Sequence, residues 1–169
     1  MASALKEVML MRIPKIYLET TVFNFPFVDD APDKRADSIR LFEEIAEGKY
    51  EPYTSAYVIK ELSDTAENEL RHDMLALISK HNVQILAVSA EAEALAERYV
   101  QEGVIPQKYA TDATHIAVTT VNDLDIIVSY NFQHIVKRKT IIMTGIINKR
   151  EGYKQIEIYS PTEVVESVE

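Results

Sequence analysis

The 169-residue chain contains no cysteine, which excludes disulfides and thiolate-held metals outright and fits a reducing, cytoplasmic setting. Glycine is almost as scarce. The four glycines stand at 48, 103, 145 and 152, and none follows the first predicted strand, where a dinucleotide-binding turn would need them. There is no Gly-Lys-Ser/Thr phosphate loop and no Gly-x-Ser-x-Gly elbow. His72, His81, His115 and His134 show no zinc-ligand spacing. Low-complexity tracts and repeats at solenoid periods are absent too. Positive charge is in deficit: 18 basic against 27 acidic residues leave a net charge of −9. A protein that coats nucleic acid by bulk charge is usually basic, so any dealings with a polyanion must be local or mediated by a cation. No long apolar run occurs either. The residues up to Met11 are interrupted by Lys6-Glu7 and read as neither signal peptide nor membrane span.

What is present is enough chain, at 47% hydrophobic content, for one domain with a real core. Residues 1–14 are read as an N-terminal extension and 15–169 as the domain. Strands are predicted over Lys15–Glu19, Glu51–Thr54, Val83–Val88, Asp125–Ser129 and Gln155–Tyr159, with helices between them. The helix from Pro32 to Glu47 places Ile39, Phe42, Ile45 and Ala46 on one face, with Gly48 as its C-cap. Phe23 to Asp30 is predicted to be a loop. Ser55 caps a helix that turns Val58, Ile59 and Leu62 inward. Leu70, Met74, Leu77 and Ile78 form the stripe of a helix over Glu67–Lys80, and Ser89 caps another that Gly103 stops. Pro106 opens a buried helix carrying Tyr109, Ala113, Ile116, Ala117 and Thr120. Ile141, Ile142, Gly145 and Ile146 signal a further helix, and Ser160-Pro-Thr-Glu163 has capping-box spacing. Strand and helix alternate throughout, which means α/β with a mostly parallel sheet.

Polar residues at element ends carry the candidate chemistry. Glu19 closes the first strand. Glu61 flanks the inward face of its helix, three residues beyond Val58. Asp112 stands near the start of the buried helix, where a carboxylate is costly without a partner. Asn131 follows the fourth strand, where open α/β sheets place ligands. Singly, each has an ordinary structural role as a cap, a dipole partner or a solvated charge. A receiver-like reading would use Asp29-Asp30, but the third strand ends in Ser89 rather than an acidic phosphoacceptor.

In order, however, Ile-Tyr-Leu-Glu19-Thr-Thr-Val, Tyr-Thr-Ser-Ala-Tyr-Val-Ile-Lys-Glu61-Leu, Asp112-Ala-Thr-His-Ile-Ala and Ile-Ile-Val-Ser129-Tyr-Asn131-Phe-Gln-His resemble the PIN domain family, in particular the small prokaryotic members that include VapC-like toxins. The resemblance runs from Lys15 to Glu166. It implies a three-layer α/β/α fold with a central, mostly parallel five-stranded sheet. It also implies an Mg²⁺- or Mn²⁺-dependent endoribonuclease, with RNA as substrate, an antitoxin as protein partner and no membrane. Glu19, Glu61, Asp112 and Asn131 match the family's acidic positions, with Thr20, Thr21 and Ser129 as supporting hydroxyls. The family usually has Asp at the first position and often Asp at the fourth, where this chain has Glu19 and Asn131. Glu19, Asp112 and Asn131 are the expected metal ligands, and Glu61 is expected to position or deprotonate a water. Lys137, Arg138 and Lys139, with Lys149 and Arg150, are candidates for flanking phosphates. Phe23, Phe25 and Phe27 are candidates for a homodimer surface or for core. The competing class is a non-catalytic PIN-like module that binds RNA or a protein.

Overall fold

The computed structural model describes residues 12–165, so most of the expected extension over 1–14 lies outside the described residues. Five strands form one sheet in the order β3-β2-β1-β4-β5, every pair parallel. They are β1 (Lys15–Leu18), β2 (Glu51–Ser55), β3 (Gln84–Leu86), β4 (Ile126–Val128) and β5 (Glu157–Tyr159). The helices are α1 (Thr20–Asn24), α2 (Pro32–Ala46), α3 (Ala56–Ser63), α4 (Asn68–Lys80), α5 (Ala90–Gln101), α6 (Ala110–Val121), α7 (Arg138–Arg150) and α8 (Pro161–Val164). This is the α/β architecture with a parallel five-stranded sheet that the sequence predicts.

The central strands are buried because they are short, apolar and sandwiched by helices. Ile16, Tyr17 and Leu18 of β1 and Ile127 and Val128 of β4 have no exposed surface. Helix α6 is its most thoroughly enclosed helical counterpart, with every residue from Ala113 to Thr120 buried. The strand order has a functional consequence. The chain runs from β1 outward to β2 and β3, then crosses back over β1 to β4. The order therefore reverses between β1 and β4, which opens a crevice at their carboxyl ends.

Local signals act as predicted at several ends. Gly48 adopts φ +80° after α2, and its amide donates to the Ile45 carbonyl. Ser55 and Ser89 accept the amides of Val58 and Ala92, and the Ser160–Glu163 capping box is complete.

Other expectations fail for tertiary reasons. The predicted loop after β1 is instead α1 followed by a 3₁₀ turn over Phe25–Phe27, because Glu19 folds back to cap the new helix. Ile39 is 40% exposed and Ala46 also faces outward, since Ser38, Leu41, Phe42 and Ile45 meet the core. Tyr109 lies in a 3₁₀ turn ahead of α6 and is 37% exposed. Helix α7 forms where predicted, but Ile141, Ile142 and Ile146 face solvent while Thr140, Thr144, Ile147 and Asn148 turn inward. Phe23 is fully buried, so it belongs to the core rather than to a dimer surface. Among the described residues no helix is long and apolar enough to cross a membrane.

Candidate functional site

The crevice between β1 and β4 is built by residues that end strands. Glu19 is the last residue before α1, and its carboxylate caps that helix by accepting the Thr21 amide at 3.0 Å. The same carboxylate accepts the Thr21 hydroxyl and the Ser129 hydroxyl, each at 2.7 Å. Ser129 Oγ in turn accepts the Asn131 amide at 2.9 Å, and Thr21 Oγ1 accepts the Tyr130 amide at 2.9 Å. The two strand ends are thereby laced together through hydroxyl groups, with a nearly fully buried carboxylate at the centre.

Helix α6 supplies the opposite wall. Asp112 sits in its first turn, where the helix dipole favours a negative charge. Burial nevertheless pushes the Asp112 carboxyl above its ordinary value, although His115, a hydrogen bond from Asn131 and nearby His134 pull it back down. Asn131 holds its own position by accepting the His134 amide on Oδ1 at 2.9 Å.

One helical turn after Asp112, the imidazole of His115 is buried and spans the site. Its Nε2–H donates to Glu61 at 2.9 Å, and its Nδ1 lies 2.6 Å from the Tyr17 hydroxyl, which bonds Ser55 at 2.8 Å. Burial alone would depress the His115 imidazolium. The Glu61 hydrogen bond and the charges of Glu19, Glu61 and Asp112 outweigh it and hold the group above its usual value. Burial also pushes the Tyr17 phenol upward, which keeps it a neutral bridge between Ser55 and His115. Glu61 itself remains partly exposed, at 38% of its side chain, and opens onto a cleft between α1, α3 and α4 that Thr20, Thr21 and Met74 also line.

The structure therefore brings Glu19, Glu61 and Asp112 within electrostatic reach of one imidazole, and Asn131 joins them through its hydrogen bond to Asp112. Of the three hydroxyl residues, Thr21 and Ser129 bond Glu19. Thr20 does not: its Oγ1 is buried without a partner, and the side chain lines the cleft beside Glu61. Lys137, Arg138 and Lys139 are exposed at the start of α7, six to eight residues after Asn131. Three cations at the positive end of a helix oppose its dipole, so their placement is not explained by the stability of α7. Lys149 and Arg150 lie at the other end of α7, about 18 Å away at 1.5 Å per residue. Arg150 is moreover paired with Glu102 in a two-pronged ion pair.

His115 is the site residue that sequence reasoning passed over. Its signal was available, since it stands three residues after Asp112 and so shares a helix face with it. Its partners Tyr17 and Glu61 are distant in sequence, and only the packing of α6 against β1 and α3 reveals them.

Among the described residues no group of three or more His, Cys, Asp or Glu is assembled as a metal cage. The donors present are nonetheless hard oxygens, the kind Mg²⁺ takes when it keeps most of its water and uses one or two carboxylates. Two buried polar atoms with no hydrogen-bond partner, Thr20 Oγ1 and His134 Nε2, border the same carboxylates.

Comparisons with known proteins identify the fold. No family model matches the chain, and no curated protein does. Among solved structures, the chain is similar to Mycobacterium tuberculosis VapC20, described as a sarcin-ricin loop cleaving toxin. Identity is 16%, the match covers 83% of this chain and 98% of that one, and the TM-score is 0.51. It also matches a chain of VapBC2 from Rickettsia felis, solved bound to a DNA fragment from its promoter, at 12% identity and a TM-score of 0.48. That match covers 86% of this chain and 98% of the other. The fold is thus VapC-like, the three-layer PIN-like arrangement implied by the ordered sequence segments.

Proposed function

We propose that this protein is a divalent-metal-dependent endoribonuclease that acts as the toxin of a toxin–antitoxin pair. One observation carries the reading: three carboxylates from distant segments lie within electrostatic reach of the buried His115, Asn131 hydrogen-bonds one of them, and among the described residues none of the three forms an ion pair with Lys or Arg. Three acidic groups around a single imidazole leave negative charge in excess, which is unfavourable unless a further cation or a proton joins them. The likeness to VapC20 in fold lends the class of reaction.

In this reading Glu19, Asp112 and Asn131 face a Mg²⁺ or Mn²⁺ ion, mostly through its waters. When bound, the ion supplies Lewis-acid stabilisation of the phosphate and a water of lowered pKa. Glu61 receives the attacking water's proton or orients that water, and the buried His115 fixes the carboxylate's direction from behind. Thr21 and Ser129 lock the Glu19 rotamer, so its oxygens do not reorganise during the reaction. Lys137, Arg138 and Lys139 hold flanking phosphates of the RNA. The antitoxin partner follows from the toxin role, and a second copy of the chain is the expected oligomer.

The alternative, a non-catalytic RNA- or protein-binding module, is favoured by one feature. Asn131 brings no charge to the fourth position and spends its oxygen on the His134 amide. Cleavage decides between them. Total RNA and a sarcin–ricin loop hairpin are incubated with the protein in Mn²⁺ or in EDTA, beside Asp112→Asn. Metal-dependent cleavage that falls about a hundredfold or more in the variant is the expected result. Equal patterns in Mn²⁺, EDTA and the variant would leave only the binding module.

A further inference from the structure

Phe132 is 48% exposed and directly follows Asn131, whose side chain hydrogen-bonds Asp112. It belongs to an aromatic group: Tyr130 packs edge-on against it at 6.3 Å between centroids, and Phe25 packs against Tyr130 at 4.4 Å. Lys34 reaches into this group from α2. Its ammonium stands 5.3 Å from the Phe25 centroid, 5.4 Å from Phe132 and 5.9 Å from Tyr130, all within cation–π range. Among the described residues Lys34 forms no direct ion pair with a carboxylate, and three aromatic rings surround its ammonium. An exposed ring and a cation with no direct carboxylate contact, next to each other, match the two parts of a nucleotide, since a base stacks on the first and a phosphate pairs with the second.

A second exposed ring stands near the same residues. Tyr109 is 37% exposed and stacks on His134 at 4.1 Å, beside Asp112. Aromatic surfaces therefore flank both Asp112 and Asn131. Bases inside a duplex are already stacked on each other and offer no face to such rings.

Building on the ribonuclease reading, we infer that Phe132 and Lys34 form a stacking subsite for one unpaired RNA base next to the scissile phosphate. The neighbouring face of Phe132 is used for recognition of the base plane rather than its edges, which makes the subsite tolerant of base identity.

The test measures binding apart from cleavage. In an Asp112→Asn background, fluorescein-labelled single-stranded RNA is titrated against the parent, Phe132→Ala and Phe132→Trp in Mn²⁺. The same titration is repeated with oligonucleotides made abasic at successive positions. The expected result is roughly tenfold weaker binding by Phe132→Ala, recovery in Phe132→Trp, and one abasic position at which parent and Phe132→Ala bind equally. Lys34→Met is expected to weaken every oligonucleotide and to lower the salt dependence of binding. A folding defect in Phe132→Ala would appear in its melting curve. Unchanged affinity in Phe132→Ala, or an equal loss at every abasic position, overturns the subsite and leaves the ring as a surface for a protein partner. With the native Asp112, RNA cleavage by Phe132→Ala at unchanged KM removes the subsite alone. Absence of any cleavage by the wild-type protein removes the ribonuclease reading itself.

Discussion

The two edges of the sheet treat buried carboxylates in opposite ways. At the amino-terminal edge, Asp125 is only 17% exposed and is fully answered. Arg12 and Lys154 each donate to it at 2.6 Å, and the Lys15 amide donates at 2.8 Å. Burial works against its ionisation, but those donors prevail and hold the carboxyl below its ordinary value. At the carboxyl-terminal edge, Glu19, Glu61 and Asp112 share hydroxyl groups, an amide and one histidine, and Asp112 is pushed upward. The first edge uses charge to join the start of β1 to the segments that lead into β4 and β5. The second keeps charge in reserve, at a cost to the fold that a cation would remove.

The contrast can be broken by substitution. Asp125→Ala removes three donors' shared acceptor and leaves the Lys15 amide without its partner, so we expect a loss of about 2 kcal/mol in urea unfolding. For a chain of this size that lowers Tm by roughly 4–8 °C. Asp112→Asn should act in the opposite direction in EDTA. It removes a charge that burial disfavours, and we expect a gain of up to about 1 kcal/mol together with loss of RNA cleavage. A destabilised Asp112→Asn would show that the carboxylate is structural.

The same pair sharpens the comparison through pH, with smaller effects. The folded value of Asp125 is depressed, so its contribution is present above about 3.8 and is lost as pH falls below that through the folded value. The folded value of Asp112 is raised. Its effect favours folding below about 3.8 and disappears as pH climbs through the folded value. In EDTA, the stability of Asp125→Ala relative to wild type should therefore improve on acidification. That of Asp112→Asn should worsen. Thermal melts between pH 3 and pH 7 read both trends, and parallel curves would mean that the two edges do not differ.

Much of this was legible in the sequence, for reasons visible in particular residues. Gly48, Ser55, Ser89 and Ser160 act on amides and carbonyls within a few positions of themselves, so the chain alone specifies their work. The strands around Ile16 and Ile127 were equally plain, because a short β-branched run has few alternatives to burial. The isoleucines of α7 misled, since apolar residues signal a helix whether or not they face inward. The helix after Glu19 was hidden because its cap is an acid that also answers Ser129, 110 positions away.

By itself, then, the order of residues determined the succession of strands and helices, the caps and the four polar positions at strand and helix ends. Those are consequences of periodicity and of bonds between near neighbours. Only the tertiary structure decided that Tyr17, Glu61 and His115 form one hydrogen-bonded chain, that Thr20 stands apart from Thr21, and that Lys34 meets Phe132. Such contacts depend on which faces of distant elements meet when the sheet closes, and no local rule encodes that.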